Sequence, residues 1–84
     1  MRAAVEISMY PLTQDFRPPI QAFIDRLNMH PGLLVRTNAL ATQIWGELEQ
    51  VMMALTQEMA RSAGDEAQLV FVMKVLPGLA PPDS

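Results

Sequence analysis

Leu33-Leu34-Val35-Arg36-Thr37-Asn38-Ala39-Leu40-Ala41-Thr42-Gln43-Ile44-Trp45 is the stretch on which the fold turns. It is rich in residues that favour strands. As one strand, however, it would reach roughly 43 Å at ~3.3 Å per residue, about twice the usual strand length. The stretch therefore reads as two strands, 33–39 and 42–46, folded back near Ala39–Ala41, although that turn contains no glycine.

Upstream, Ala3 to Tyr10 alternates. Ala3, Val5, Ile7 and Met9 share one side, Ala4, Glu6, Ser8 and Tyr10 the other, which predicts a strand with one polar-tipped face. Pro11 stops it. Asp15 is placed to cap the next helix, with Pro18 and Pro19 in its first turn. Phe16, Ile20, Phe23, Ile24 and Leu27 form an apolar stripe at helical spacing, and Asn28, Pro31 and Gly32 end it. Downstream, Gly46 opens a second helix with Leu48, Val51, Met52, Leu55 and Met59 on one face, and Gly64 is a natural terminator after Ala63. Ala67 to Leu76 reads as the last strand.

The order β-α-β-β-α-β, with right-handed crossovers, predicts an α+β ferredoxin-like fold: a four-stranded antiparallel sheet with both helices on one face. Eighty-four residues suffice for one domain, expected to span 1–78, with 79–84 as a flexible tail. The opposite sheet face is left uncovered. It would carry Glu6, Ser8 and Tyr10, while both alternating sets of the last strand, Val70/Val72 and Leu69/Phe71/Met73/Val75, are apolar. A strand apolar on both sides is usually buried on both sides. A second subunit covering the open face is expected, giving a homo-oligomer, dimer or tetramer.

Composition narrows the function. Half the residues are hydrophobic, 18% are charged and the net charge is −3, so disorder is excluded and no basic footprint for nucleic acid exists. There is no cysteine and only one histidine, His30, most simply a cap for helix carbonyls beside Pro31–Gly32. No metal site, cofactor or catalytic triad is expected from that inventory. The four glycines stand alone, so no phosphate loop is present. Glu47, Glu49 and Glu58 read as solvated helix carboxylates. No apolar run approaches the ~20 residues that would span a membrane, and nothing resembles a signal peptide behind Met1–Arg2, so a soluble cytoplasmic protein is expected.

Glu6 stands out as a carboxylate in mid-strand. Beside Ser8 and Tyr10 it offers a polar floor for a small cationic or amino-heterocyclic ligand; equally, it can pair with Arg36 or Lys74 across the sheet or a subunit interface. Asn38, Thr42 and Gln43 add neutral donors and acceptors on the hairpin. Trp45 offers a flat surface suited to interface packing.

These residues resemble the YkoF-like family of thiamine- and hydroxymethylpyrimidine-binding proteins. Glu6-Ile7-Ser8-Met9-Tyr10-Pro11-Leu12 is similar to the family's E-x-S-x-x-P-[LM]. Thr37-Asn38-Ala39-Leu40-Ala41-Thr42-Gln43-Ile44-Trp45-Gly46 is similar to its T-N-x-[ML]-[SA]-T-x-[IV]-x-G. The resemblance covers about Ala4 to Gly78. It implies an ACT-like variant of the same fold, association through sheets, and binding of thiamine or its pyrimidine half without catalysis. Carried over by position, it implies Glu6, Ser8, Tyr10, Asn38 and Thr42 as ligand residues. The alternative is a structural oligomerisation module, in which the same polar groups only fix the register between sheets.

Overall fold

The alternating segment Arg2–Pro11 forms β1, a central strand that buries Val5, Ile7 and Met9 on one side. The computed structural model describes residues 1–65 and 68–79. After β1 come α1 (Arg17–Asn28), β2 (Leu34–Thr37), β3 (Thr42–Glu47), α2 (Leu48–Asp65) and β4 (Leu69–Pro77). The sheet order is β2-β3-β1-β4, with every neighbouring pair antiparallel. This is the expected α+β ferredoxin-like arrangement.

The core lies between the sheet and the helices. Val5, Ile7, Met9 and Ile44 of the sheet meet Phe23 and Leu27 of α1 and Val51 and Leu55 of α2. Both helices therefore cover the same face. Phe71 of β4 joins this layer through a tilted ring contact with Phe23, centroids 5.2 Å apart. Burying side chains of this size stabilises the fold by roughly 1.5–3 kcal/mol each.

The register sets the opposite face. Its rows are Leu34–Trp45–Ala4–Leu76, then Arg36–Gln43–Glu6–Lys74, then Ser8–Val72 and Tyr10–Val70. Val70, Val72 and Leu76 are exposed there. Met73 and Val75, on the helix side of β4, are exposed as well. Trp45 is 5% exposed. Its neighbour in the row is Ala4, whose single methyl leaves room for the indole, and the Guanidinium carbon of Arg36 lies 6.0 Å from the ring centroid. The indole Nε1 is buried, with no hydrogen-bond partner among the described residues.

Several local expectations are corrected. Phe16, not Asp15, is the N-cap residue of α1, and no side chain caps the helix. The physical reason is in the sequence: Pro18 and Pro19 remove the N–H groups that a capping carboxylate would accept from. Gly64 lies within α2, which continues to Asp65, and it has no positive φ. Gly32 does have one, at +83°, in the turn that leads from α1 to β2. The hairpin strands are 34–37 and 42–47 rather than 33–39 and 42–46. The last strand begins at Leu69; Ala67, and residues 80–84 of the expected tail, lie outside the described residues.

Glu58 is the largest correction. It is 5% exposed, on the face of α2 that also buries Val51, Ala54, Leu55 and Ser62. Arg26 of α1 donates from Nε to Glu58 Oε1 over 2.7 Å, and from its terminal nitrogen to Ser62 Oγ over 2.6 Å. His30 Nε2 reaches Glu58 Oε2 at 2.7 Å, so His30 joins the helices instead of capping carbonyls with its ring. Burial pushes the Glu58 carboxyl up, but hydrogen bonds from His30 and Arg26 outweigh it and hold it below the usual value.

Candidate functional site

A length mismatch between neighbouring strands creates the site. β3 pairs with β1 only from Arg2↔Glu47 to Ile7↔Thr42, whereas β4 follows β1 as far as Pro11↔Leu69. Residues 8–11 of β1 therefore have a strand partner on the β4 side alone. The notch beside them is flanked by the first turns of α1 and by the β2–β3 connection, 38–41. It forms a groove of about 480 Å³.

Apolar groups dominate the lining. Ile7, Met9 and Phe23 lie at the core end, with Phe16, Ile20 and Ile24 from α1 on one wall and Leu40 on the other. Leu40 is 86% exposed, at the tip of the connection. Ser8, Tyr10, Thr37, Asn38 and Thr42 supply the polar atoms. No carboxylate or basic group is among the described lining residues. A site of this kind can hold a planar, largely neutral body and orient it through hydroxyls.

The connection is shaped by its own polar residues. Asn38 Oδ1 accepts from the Leu40 N–H (2.7 Å) and the Ala41 N–H (3.0 Å), while its own N–H donates to the Ala41 carbonyl. This side-chain turn replaces the glycine that the sequence lacks there, and no non-glycine residue among the described residues has a positive φ. Ser8 Oγ donates to the Leu40 carbonyl over 3.1 Å, tying the tip of the connection to β1. Thr37 Oγ1 and Thr42 Oγ1 approach to 3.5 Å where the hairpin opens.

The structure distributes the five residues named from sequence unevenly. Ser8, Tyr10, Asn38 and Thr42 line the groove; Glu6 does not. Glu6 lies on the open face opposite Gln43 and Lys74, with the Lys74 ammonium 3.9 Å from its Oε1. Thr42 sits on the other side of the sheet, in the row of Ile7, and is 6% exposed. The groove joins these because it wraps around the bare edge of β1 and meets side chains of both faces. Trp45 is not among its lining residues.

Phe16, Ile20, Ile24 and Leu40 were missed as site residues. The first three belong to the stripe that reads as core, but of them only Ile20 packs against it, and Phe16 is 48% exposed. They find no β3 beneath them because β3 starts only at Thr42. The readable signal was the difference in length between the first strand and the third. Among the described residues, no cluster of histidine or acidic groups could hold a metal ion. Nor is any helix there long and apolar enough to cross a membrane.

No family model matches the chain, and no curated protein matches it in sequence. Solved structures do resemble it. A hypothetical protein of Methanocaldococcus jannascii superposes with a TM-score of 0.82 at 20% identity, over 99% of this chain and 87% of that one. A Thermotoga maritima protein with a proposed role in thiamine biosynthesis or salvage gives 0.81 at 17% identity, over 90% and 83%. A Bacillus cereus domain of unknown function, DUF77, gives 0.77 at 15% identity, over 98% and 79%. At these identities the likeness establishes the fold that this chain shares with them.

Proposed function

We propose that the protein is a non-catalytic binding module for thiamine or its hydroxymethylpyrimidine moiety, serving as carrier, buffer or sensor. The observation that carries this reading is the groove itself: about 480 Å³, walled by Phe16, Ile20, Ile24 and Leu40, with hydroxyls at Ser8, Thr42 and Tyr10. An aminopyrimidine presents an amino donor beside ring-nitrogen acceptors. Hydroxyls both donate and accept, so they can match that edge in either direction. The ring faces would lie against apolar walls. Glu6, outside the groove, would serve the thiazolium end of thiamine, a delocalised cation that favours a nearby carboxylate. The motif resemblance to YkoF-like proteins supports the ligand, and the thiamine-related Thermotoga maritima neighbour agrees with it coarsely.

Packing of a second copy on the open face completes the proposal. The exposed Val70, Val72 and Leu76 are what such packing would cover. A second reading, the structural oligomerisation module, is favoured by a specific observation. Ser8 and Asn38 already spend hydrogen bonds on the 38–41 connection, and Glu6 already faces Lys74.

Calorimetric titration of dialysed protein with thiamine and, separately, hydroxymethylpyrimidine tests the proposal. Saturable binding near one ligand per chain supports it. Heats of dilution alone for both, on protein free of carried-over ligand, would leave the oligomerisation module.

A further inference from the structure

A second, more open hollow of about 530 Å³ is lined by Arg17, Pro18, Ile20, Gln21, Ile24 and Thr37. Ile20, Ile24 and Thr37 line both. The two hollows therefore adjoin along the first turns of α1, one at the notch beside β1 and the other reaching Arg17.

We infer that the site takes a ligand whose planar neutral body carries an anionic group, and that Arg17 holds that group. The inference deepens the binding reading above and rests on it. Arg17 is the one charged side chain among the described residues lining either hollow. It is exposed, and no carboxylate among the described residues forms an ion pair with it. Arg2, Arg26 and Lys74, by contrast, each face a glutamate. Asp15, two residues earlier, lines neither hollow. Asp25, two turns along the helix, is engaged by the Gln21 amide at 2.8 Å.

The setting reinforces the sign. Arg17 begins α1, whose first turn has no acidic residue that could compete for its guanidinium. A guanidinium can bind a phosphate or carboxylate through two parallel N–H donors. A cationic ligand end placed at the same point would be repelled. Hydroxymethylpyrimidine carries its hydroxymethyl group on the ring, so esterification gives this arrangement: a neutral heterocycle with a phosphate one short arm away.

The experiment compares hydroxymethylpyrimidine with its monophosphate by calorimetry, on the unaltered protein and on Arg17→Gln. An exposed charge pair supports an advantage of about fivefold. The monophosphate is expected to bind that much more tightly than the alcohol, with the advantage lost in Arg17→Gln and reduced by added salt. The alcohol should bind both proteins equally. Equal affinity of the two ligands for the unaltered protein, or an advantage that survives in Arg17→Gln, overturns the role of Arg17 while the binding reading stands. Absence of binding by both, with thiamine still bound in a parallel titration, overturns the inference alone; absence of binding by all three overturns the reading as well.

Discussion

The hydroxyl of Ser8, in the central strand, donates to the carbonyl of Leu40 at the tip of the β2–β3 connection, 3.1 Å away. This bond spans the notch left where β3 is shorter than β1, and it holds one wall of the groove at a set distance from the other. Asn38 fixes the same wall from within, through its two bonds to Leu40 and Ala41.

Loosening that wall should weaken binding more than folding. Ser8→Ala removes one exposed hydrogen bond, costing about 0.5–1.5 kcal/mol of stability. Asn38→Ala removes two and should cost somewhat more. Both proteins should remain folded by circular dichroism and urea titration, yet hydroxymethylpyrimidine affinity should fall about tenfold or more, since Leu40 loses its position. Unchanged affinity in both variants would remove the connection from the site.

The Arg26–Glu58–His30 cluster makes folding sensitive to acid. The Glu58 carboxyl is held below its usual value of 4.5 in the folded chain. Its contribution is therefore fully present above the unfolded value and disappears as pH falls through the lower, folded one. Urea midpoints should drop between neutral pH and the acid range, with a shallower drop in Glu58→Gln. Glu58→Ala leaves Arg26 beside Ser62 without its carboxylate, and losing this part-buried, charge-assisted bond should cost about 1.5–3 kcal/mol. A pH profile identical in Glu58→Gln and the unaltered protein would mean that the cluster contributes nothing to this dependence.

Association through the open face predicts a separable effect. Val72→Glu puts a charge in the middle of that face, opposite Ser8 in the register and away from the helix-covered core. Light scattering after size exclusion should show the unaltered protein as an oligomer and the variant as a smaller species. An unaltered protein that runs as a monomer at high concentration would contradict the covered face.

Much of the fold was legible because alternation and helical spacing agree with it. Val5, Ile7 and Met9 alternate into the core, and Phe23 and Leu27 recur at helical spacing to meet them. Thirteen β-rich residues were too long for one strand, which exposed the hairpin. Other features depend on pairing across distance, which no local pattern carries. Glu58 looks like a surface carboxylate until α1 brings Arg26 and His30 against it. The helix cap was misread locally: Asp15 has the right chemistry, but the helix starts one residue later, with Phe16 as N-cap and prolines at its second and third positions. For the site, the polar residues Ser8, Tyr10, Asn38 and Thr42 were legible as neighbours, whereas for Glu6 the sequence left a ligand role and pairing with Arg36 or Lys74 both open, and the register sets it opposite Lys74. The apolar walls were hidden because a residue facing a missing strand has the same sequence pattern as one facing a present strand.

The most direct test of the central claim is a two-dimensional amide NMR titration of the protein with hydroxymethylpyrimidine. The account predicts saturable shifts confined to residues 8–12, 16–24 and 37–42, the three segments that meet at the notch. Saturable shifts centred instead on Glu6, Gln43, Trp45 and Lys74 would place the ligand on the open sheet face and contradict the groove. A spectrum unmoved at millimolar hydroxymethylpyrimidine, and again at millimolar thiamine, would contradict the binding function itself.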